Sequence, residues 1–128
     1  MAIISIKHGV LYLIGWLLTV QLASAGELQK LSLDERVSKS ELVIIGKVRQ
    51  VVRNTDGFGS DIALVTSENV LKGQATQEIR FAFNGSIVES HSECCVVGGR
   101  YLLFMARNKE GEYYSVNGRY GVYMLTPR

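Results

Sequence analysis

The densest run of potential ligands in the chain is Glu89-Ser90-His91-Ser92-Glu93-Cys94-Cys95. In an extended segment alternate side chains share a face, so Glu89, His91, Glu93 and Cys95 would project together. Carboxylate, imidazole and thiolate are donor types that hold Zn2+, which makes these four the candidate metal ligands. The competing reading is a solvated polar loop that ends in a buried cysteine. It is preferred, because a metal site needs a ligand geometry that spacing alone does not supply; no metal and no cofactor is expected. A Cys–His nucleophile drawn from His91 with Cys94 or Cys95 lacks a third orienting group. Such pairs are usually assembled from distant parts of a fold. A Ser-His-Asp arrangement would need the same His91, and nothing marks a nucleophile elbow. The glycines form neither a phosphate loop nor a dinucleotide fingerprint. The expectation is a protein without catalytic residues.

Cys94 and Cys95 are the only two cysteines, and they are adjacent. Across a trans peptide their Cα atoms lie about 3.8 Å apart, short of the roughly 4.4–6.8 Å that an unstrained disulfide spans. Three states are open to the pair. Both thiols are buried and inert, as free cysteines often are. Alternatively, one or both bridge to a second chain as a covalent dimer. The third is a vicinal bridge acting as a switch.

Aromatic and basic residues crowd the C-terminal part. Tyr101, Tyr113, Tyr114, Tyr120 and Tyr123 alternate with Arg100, Arg107 and Arg119. Tyr and Arg are enriched at interfaces, so Tyr113, Tyr114, Arg119 and Tyr120 are the candidate interaction surface. Ordinary cross-strand packing is the competing reading and is favoured. Lys47, Arg49 and Arg53 read as a solvated edge, with an anionic envelope surface as the second reading.

The elements that must position these residues follow a leader. Met1 to Lys7 carries one positive side chain and no acid, Gly9 to Leu22 is almost wholly apolar, and Ala23-Ser24-Ala25 is a small-x-small cleavage pattern. That order is the form of a secretory signal peptide, and the apolar stretch falls short of the roughly 20 residues of a spanning helix. The expected organisation is a signal peptide over 1–25 and one domain over 26–128. The mature chain would be periplasmic or secreted and carry no transmembrane segment. Cleavage removes Lys7 and no acid, leaving 13 basic and 12 acidic side chains. A near-neutral domain lacks the clustered basic face that nucleic acid requires, so no nucleic-acid partner is expected.

Ser32-Leu33-Asp34-Glu35 has the capping-box form and predicts a short helix over about 32–40, with Leu33 and Val37 facing inward. After Glu41 the period becomes two. Leu42, Ile44, Gly46, Val48 and Val52 mark the buried face of a first strand, with Lys47, Arg49 and Arg53 opposite. Asn54 to Gly59 is a turn. A second strand runs from about Asp61 to Leu71, with a bulge near Ser67-Glu68-Asn69. Ile79, Phe81 and Phe83 define a third strand. Asn84 to Glu93 is a loop with room for a short strand at Ile87-Val88. Tyr101 to Met105 is apolar on both faces and predicts a doubly covered strand. Glu112 to Val116 and Tyr120 to Leu125 follow as strands, with Asn117-Gly118 as a hairpin turn between them. Pro127 lies beyond the last. The fold class expected is mostly β: a small antiparallel barrel of five or six strands with one short N-terminal helix.

Ser32 to Val48 (SLDERVSKSELVIIGKV), Val70-Leu71-Lys72-Gly73 and Cys95 to Phe104 (CVVGGRYLLF) together resemble small exported bacterial domains related to the tissue inhibitors of metalloproteases. The resemblance covers most of residues 32–125. It implies a netrin-like or OB-like fold, a five- or six-stranded barrel flanked by a helix. In the inhibitors proper, the N-terminal Cys of the mature chain chelates the target zinc with its amine and carbonyl. Here the expected mature start is Gly26-Glu27-Leu28, and no Cys precedes Cys94, so that device is missing. The leading expectation is an exported, non-enzymatic module that binds another extracytoplasmic protein or an envelope component. One alternative is an inhibitor of an exported hydrolase acting by loop insertion. The other is a thiol or metal protein acting through residues 89–95.

Overall fold

The computed structural model describes residues 28–55, 59–83 and 94–126. The leader at 1–25, the middle of the turn at Asp56-Gly57-Phe58, the loop with Ile87-Val88, Glu89, His91 and Glu93, and Pro127 lie outside the described residues. The elements in chain order are α1 (Leu33–Lys39), β1 (Leu42–Val52), β2 (Asp61–Lys72), β3 (Glu78–Phe83), β4 (Arg100–Arg107), β5 (Tyr113–Ser115), a 3-10 turn (Gly118–Gly121) and β6 (Val122–Thr126). No helix among the described residues is long and apolar enough to cross a membrane.

The strands follow the order β1-β2-β3-β5-β4-β6, and β1 also pairs with β4, so the first five close into a barrel and β6 is added outside the ring. All pairings are antiparallel except β3 with β5, where Phe81 faces Tyr113 and Ala82 faces Tyr114 in parallel. Closure satisfies the backbone polar groups that open sheet edges would leave exposed. The interior is filled from four strands of the ring: Leu42, Ile44 and Val48 of β1, Ala63 and Val65 of β2, Ile79, Phe81 and Phe83 of β3, and Tyr101, Leu103 and Met105 of β4, with the half-buried Tyr113 of β5 packed against them. Cys95 and Val122 complete it. Gly46 is buried because the β2 chain passes directly over it. A Cβ there would press on the Val65 side chain and come within 3.2 Å of the Thr66 carbonyl.

β4 is covered on both faces, as its unbroken apolar run predicts. Tyr101, Leu103 and Met105 enter the barrel, while Phe104 and Ala106 join Val43 and Val116 in a second cluster outside it, packed against Val37 and Leu102. That cluster is the seat of α1. Ser32 caps the helix by accepting from the Glu35 amide at 3.2 Å, which satisfies one of the donors a helix start leaves open. The other end is held by Lys72, whose ammonium donates to the Val37 carbonyl at 2.6 Å, a cation placed where the helix dipole favours it.

Four expectations are corrected. Leu33 points to solvent and Arg36 is the buried residue of α1. The cause is that the helix meets the barrel through Arg36, Val37 and Ser40, leaving the first turn overhanging. Val52 is exposed and Val51 packs on the core, because β1 skips a position between Val48 and Gln50 where it meets β2, which reverses the phase. The expected bulge in β2 is present at Glu68, between the Ile45–Asn69 and Gly46–Ser67 pairs. Asn117 and Gly118 do adopt positive φ, yet they do not turn a hairpin. β5 and β6 do not pair with each other; both run antiparallel to β4, along successive stretches of it. The chain from Tyr113 to Thr126 is thus one strand line interrupted by an excursion that tucks in Val116. The trans geometry taken for Cys94-Cys95 is also replaced: their peptide is cis, with Cα atoms 3.0 Å apart.

Candidate functional site

A concave feature among the described residues lies where α1 and its lead-in cross β4 and β6. A groove of about 670 Å³ opens between the lead-in to α1, the helix itself, β4 and β6, lined by Lys30, Leu31, Ser32, Leu33, Arg36, Leu102, Phe104 and Tyr123. Its walls are apolar and aromatic. Phe104 and Tyr123 meet edge to face, with ring centres 6.2 Å apart and planes at 77°.

Arg36 forms part of its floor. The side chain is only 3% exposed and is the one buried charged residue among those described. The guanidinium lies 5.4 Å from the Phe104 ring centre and 5.7 Å from that of Tyr123. Nη1 donates to the Tyr123 hydroxyl at 2.9 Å and Nη2 to the Leu31 carbonyl at 2.7 Å. Nε is buried and has no partner among the described residues. No carboxylate pairs with Arg36 among the described residues, whereas Arg49, Arg53, Arg80 and Arg100 are matched with Glu78, Asp61, Glu112 and Glu68. Cations stacked on aromatic faces gain about 0.5–2 kcal/mol, which offsets only part of the several kcal/mol that desolvating an unpaired ion costs. Arg36 therefore leaves the groove short of one negative charge.

The lead-in is fixed from across the fold. The Leu31 amide donates to the Asn117 side-chain oxygen at 2.8 Å, and the Asn117 side-chain amide donates to the Gln29 carbonyl at 2.8 Å. Leu31 thereby links the two halves of the site, with its N–H on Asn117 and its carbonyl on Arg36.

The residues singled out in the sequence fall elsewhere. Glu89, His91 and Glu93 lie outside the described residues, and Cys95 is buried in the barrel core. The Cys94 and Cys95 sulfurs sit within bonding distance of each other, the vicinal arrangement of the three open to the pair. The segment that follows them is stitched down. The Val96 amide donates to the Tyr101 hydroxyl at 2.9 Å, the Gly98 amide to the Val48 carbonyl at 2.7 Å, and the Val48 amide to the Gly99 carbonyl at 2.9 Å. Of the candidate interaction surface, Tyr113 packs on the core and takes a hydrogen bond from Arg107 at 2.7 Å, a contact that raises the pKa of the Arg107 guanidinium. Tyr114, its neighbour along β5, is exposed. Arg119 donates to Tyr120 at 2.9 Å, and the Lys30 ammonium lies 6.0 Å from the Tyr120 ring centre. Tyr120 thus sits beside the lead-in that borders the groove, while Tyr113 belongs to the barrel wall.

Sequence reading missed Arg36. The signal available was its place in the stripe 33, 36, 37, 40, which a helix brings to one face. An arginine beside Val37 on the face that meets the barrel is the pattern to notice.

Matched against protein-family models and against curated proteins, the chain finds no counterpart in either.

Proposed function

We propose that the chain is an exported, non-enzymatic binding module with an OB-like barrel, engaging another extracytoplasmic protein through the β6 edge and the groove beside it. The observation that carries this reading is the state of β6. Among the described residues it is the terminal strand of the sheet, paired only with β4, and three consecutive large side chains on it are partly open to solvent: Tyr123 at 36%, Met124 at 47% and Leu125 at 45%. An open strand edge that carries exposed apolar side chains on both faces is a template for association. Leu33 extends the same apolar surface across the groove mouth at 61% exposure. The leader-like sequence of residues 1–25 supports export. The ring of five strands supports the OB-like description.

Site-specific photo-crosslinking in the producing cells tests the reading. A crosslinker at Leu125 gives a discrete adduct with one extracytoplasmic protein, competed away by the purified chain, whereas one at Lys109 does not. Identical adduct patterns from the two positions, or none from Leu125, would overturn it.

A further inference from the structure

The groove carries a chemical demand of its own. Arg36 offers five N–H donors. One from Nη1 and one from Nη2 are engaged by Tyr123 and Leu31, and the Nε–H is buried without an acceptor among the described residues. Buried donors in native structures are nearly always satisfied, so the unfilled one marks where an acceptor belongs. An anionic acceptor fits best, because the guanidinium has no counter-charge among the described residues. No acidic side chain among the described residues lines the groove, and Lys30 adds an exposed cation to its lining. The carboxylate of Glu35 on α1 is engaged with the Ser32 hydroxyl at 3.2 Å.

The surroundings select the kind of anion. A phosphate brings about two negative charges and three strong acceptor oxygens, and here the one buried cation it would meet among the described residues is Arg36, set among Leu31, Leu33, Leu102, Phe104 and Tyr123, while Lys30 is exposed and solvated. A carboxylate needs only the single charge that Arg36 supplies, and its apolar carrier is matched by those walls. Along β6, Tyr123 and Leu125 alternate with Val122 and Met124, so Tyr123 brings the open edge of the strand beside Arg36. An extended chain paired to that edge can lower one side chain in the groove while its backbone continues along β6.

We infer that this groove is an acid-recognition site. It takes the carboxylate of a Glu or Asp on Arg36, presented by an extended, largely apolar segment of a partner protein whose main chain adds to the β6 edge. The inference rests on the reading of β6 as the contact edge and names the chemistry of its partner.

The test uses the exported protein and two probes: acetylated and amidated nine-residue peptides of alternating Val and Thr, one with a central Glu and one with a central Gln. The readout is the NMR shift of the Tyr123–Leu125 amides and of the Arg36 Nε–H. The expected result is that the Glu peptide moves both sets, that the Gln peptide binds at least tenfold more weakly, and that R36Q makes the two peptides equal. The wild-type comparison stands by itself if R36Q does not fold. Equal affinity of the two peptides at β6 overturns the acid site and leaves the β6 interface in place. Absence of any β6 shift overturns both. Titration with 4-phenylbutyrate separates a free acid from a protein segment. Saturation of the Arg36 Nε–H by this small acid at lower concentration than by the Glu peptide overturns the partner-segment assignment.

Discussion

If Arg36 is kept for a ligand, the fold itself should not need its charge. The substitution Arg36→Met separates the two. It removes the hydrogen bonds to Tyr123 and Leu31, each worth about 1.5–3 kcal/mol when the donor is charged, and the stacking on Phe104 and Tyr123, worth about 0.5–2 kcal/mol. Against that, it relieves the several kcal/mol of burying an unpaired ion. It also keeps most of the stem volume and gains sulfur–aromatic contact of about 0.3–1.5 kcal/mol. The losses and gains overlap in size, so the net change is expected to be clearly smaller than for truncation of the whole side chain, the pattern seen when buried ions are replaced by hydrophobes.

Arg36→Ala removes the stem as well and opens a cavity over Phe104. It should destabilise by about 2–4 kcal/mol, as other large-to-small changes in packed sites do. Urea unfolding followed by circular dichroism distinguishes the two. With a slope of about 1.5 kcal/mol per molar for a domain of this size, the Ala midpoint falls by roughly 1.3–2.7 M while the Met midpoint shifts clearly less. A Met variant as damaged as the Ala variant would show that the charge is structural, and the case for an unfilled ligand site would lose its premise.

Three further outcomes follow from the packing. Gly46→Ala forces a Cβ against Val65 and toward the Thr66 carbonyl; overpacking of this kind costs about 1–3 kcal/mol, read as a lowered urea midpoint. Tyr101→Phe leaves the Val96 amide without its protein acceptor; with Val96 exposed the loss is that of a neutral hydrogen bond, about 0.5–1.5 kcal/mol, and faster hydrogen exchange at Val96 than in the strands locates the effect. Asn117→Ala loses both hydrogen bonds to the lead-in and puts Ala at a φ of 67°. It should cost about 1–2 kcal/mol, within the range of losing neutral hydrogen bonds, with exchange at Leu31 accelerated.

Where a segment's partners are local, its structure was legible. Ser32 and Glu35 lie three residues apart and form their own cap. β3 alternates Ile79, Phe81 and Phe83 against one barrel interior, and nothing interrupts it. Legibility fails where a distant strand decides the phase. The skipped position between Val48 and Gln50 depends on how β1 meets β2, so no pattern within β1 alone could move Val52 outward. Asn117-Gly118 shows the same limit. The pair has the backbone conformation its residue types favour, but a turn does not specify which strand lies beyond it, and β4 offers a long edge that both β5 and β6 follow.

The candidate site was hidden for a related reason. Its residues are ordinary in sequence: a helical Arg, a Tyr on a late strand, a turn Asn. They become a site only because Leu31 lies between them. Its N–H is held by Asn117 and its carbonyl by Arg36, so the turn that reads as a hairpin acts as the clamp for the lead-in. The two contacts share one peptide-linked residue, and loosening the first must disturb the second. A partner's carboxylate that draws on Arg36 would tighten the same connection from the other side, since the guanidinium it fixes is the group that holds the Leu31 carbonyl. By reciprocity of coupled equilibria, weakening Asn117 should lower acid affinity in the groove although Asn117 does not line it.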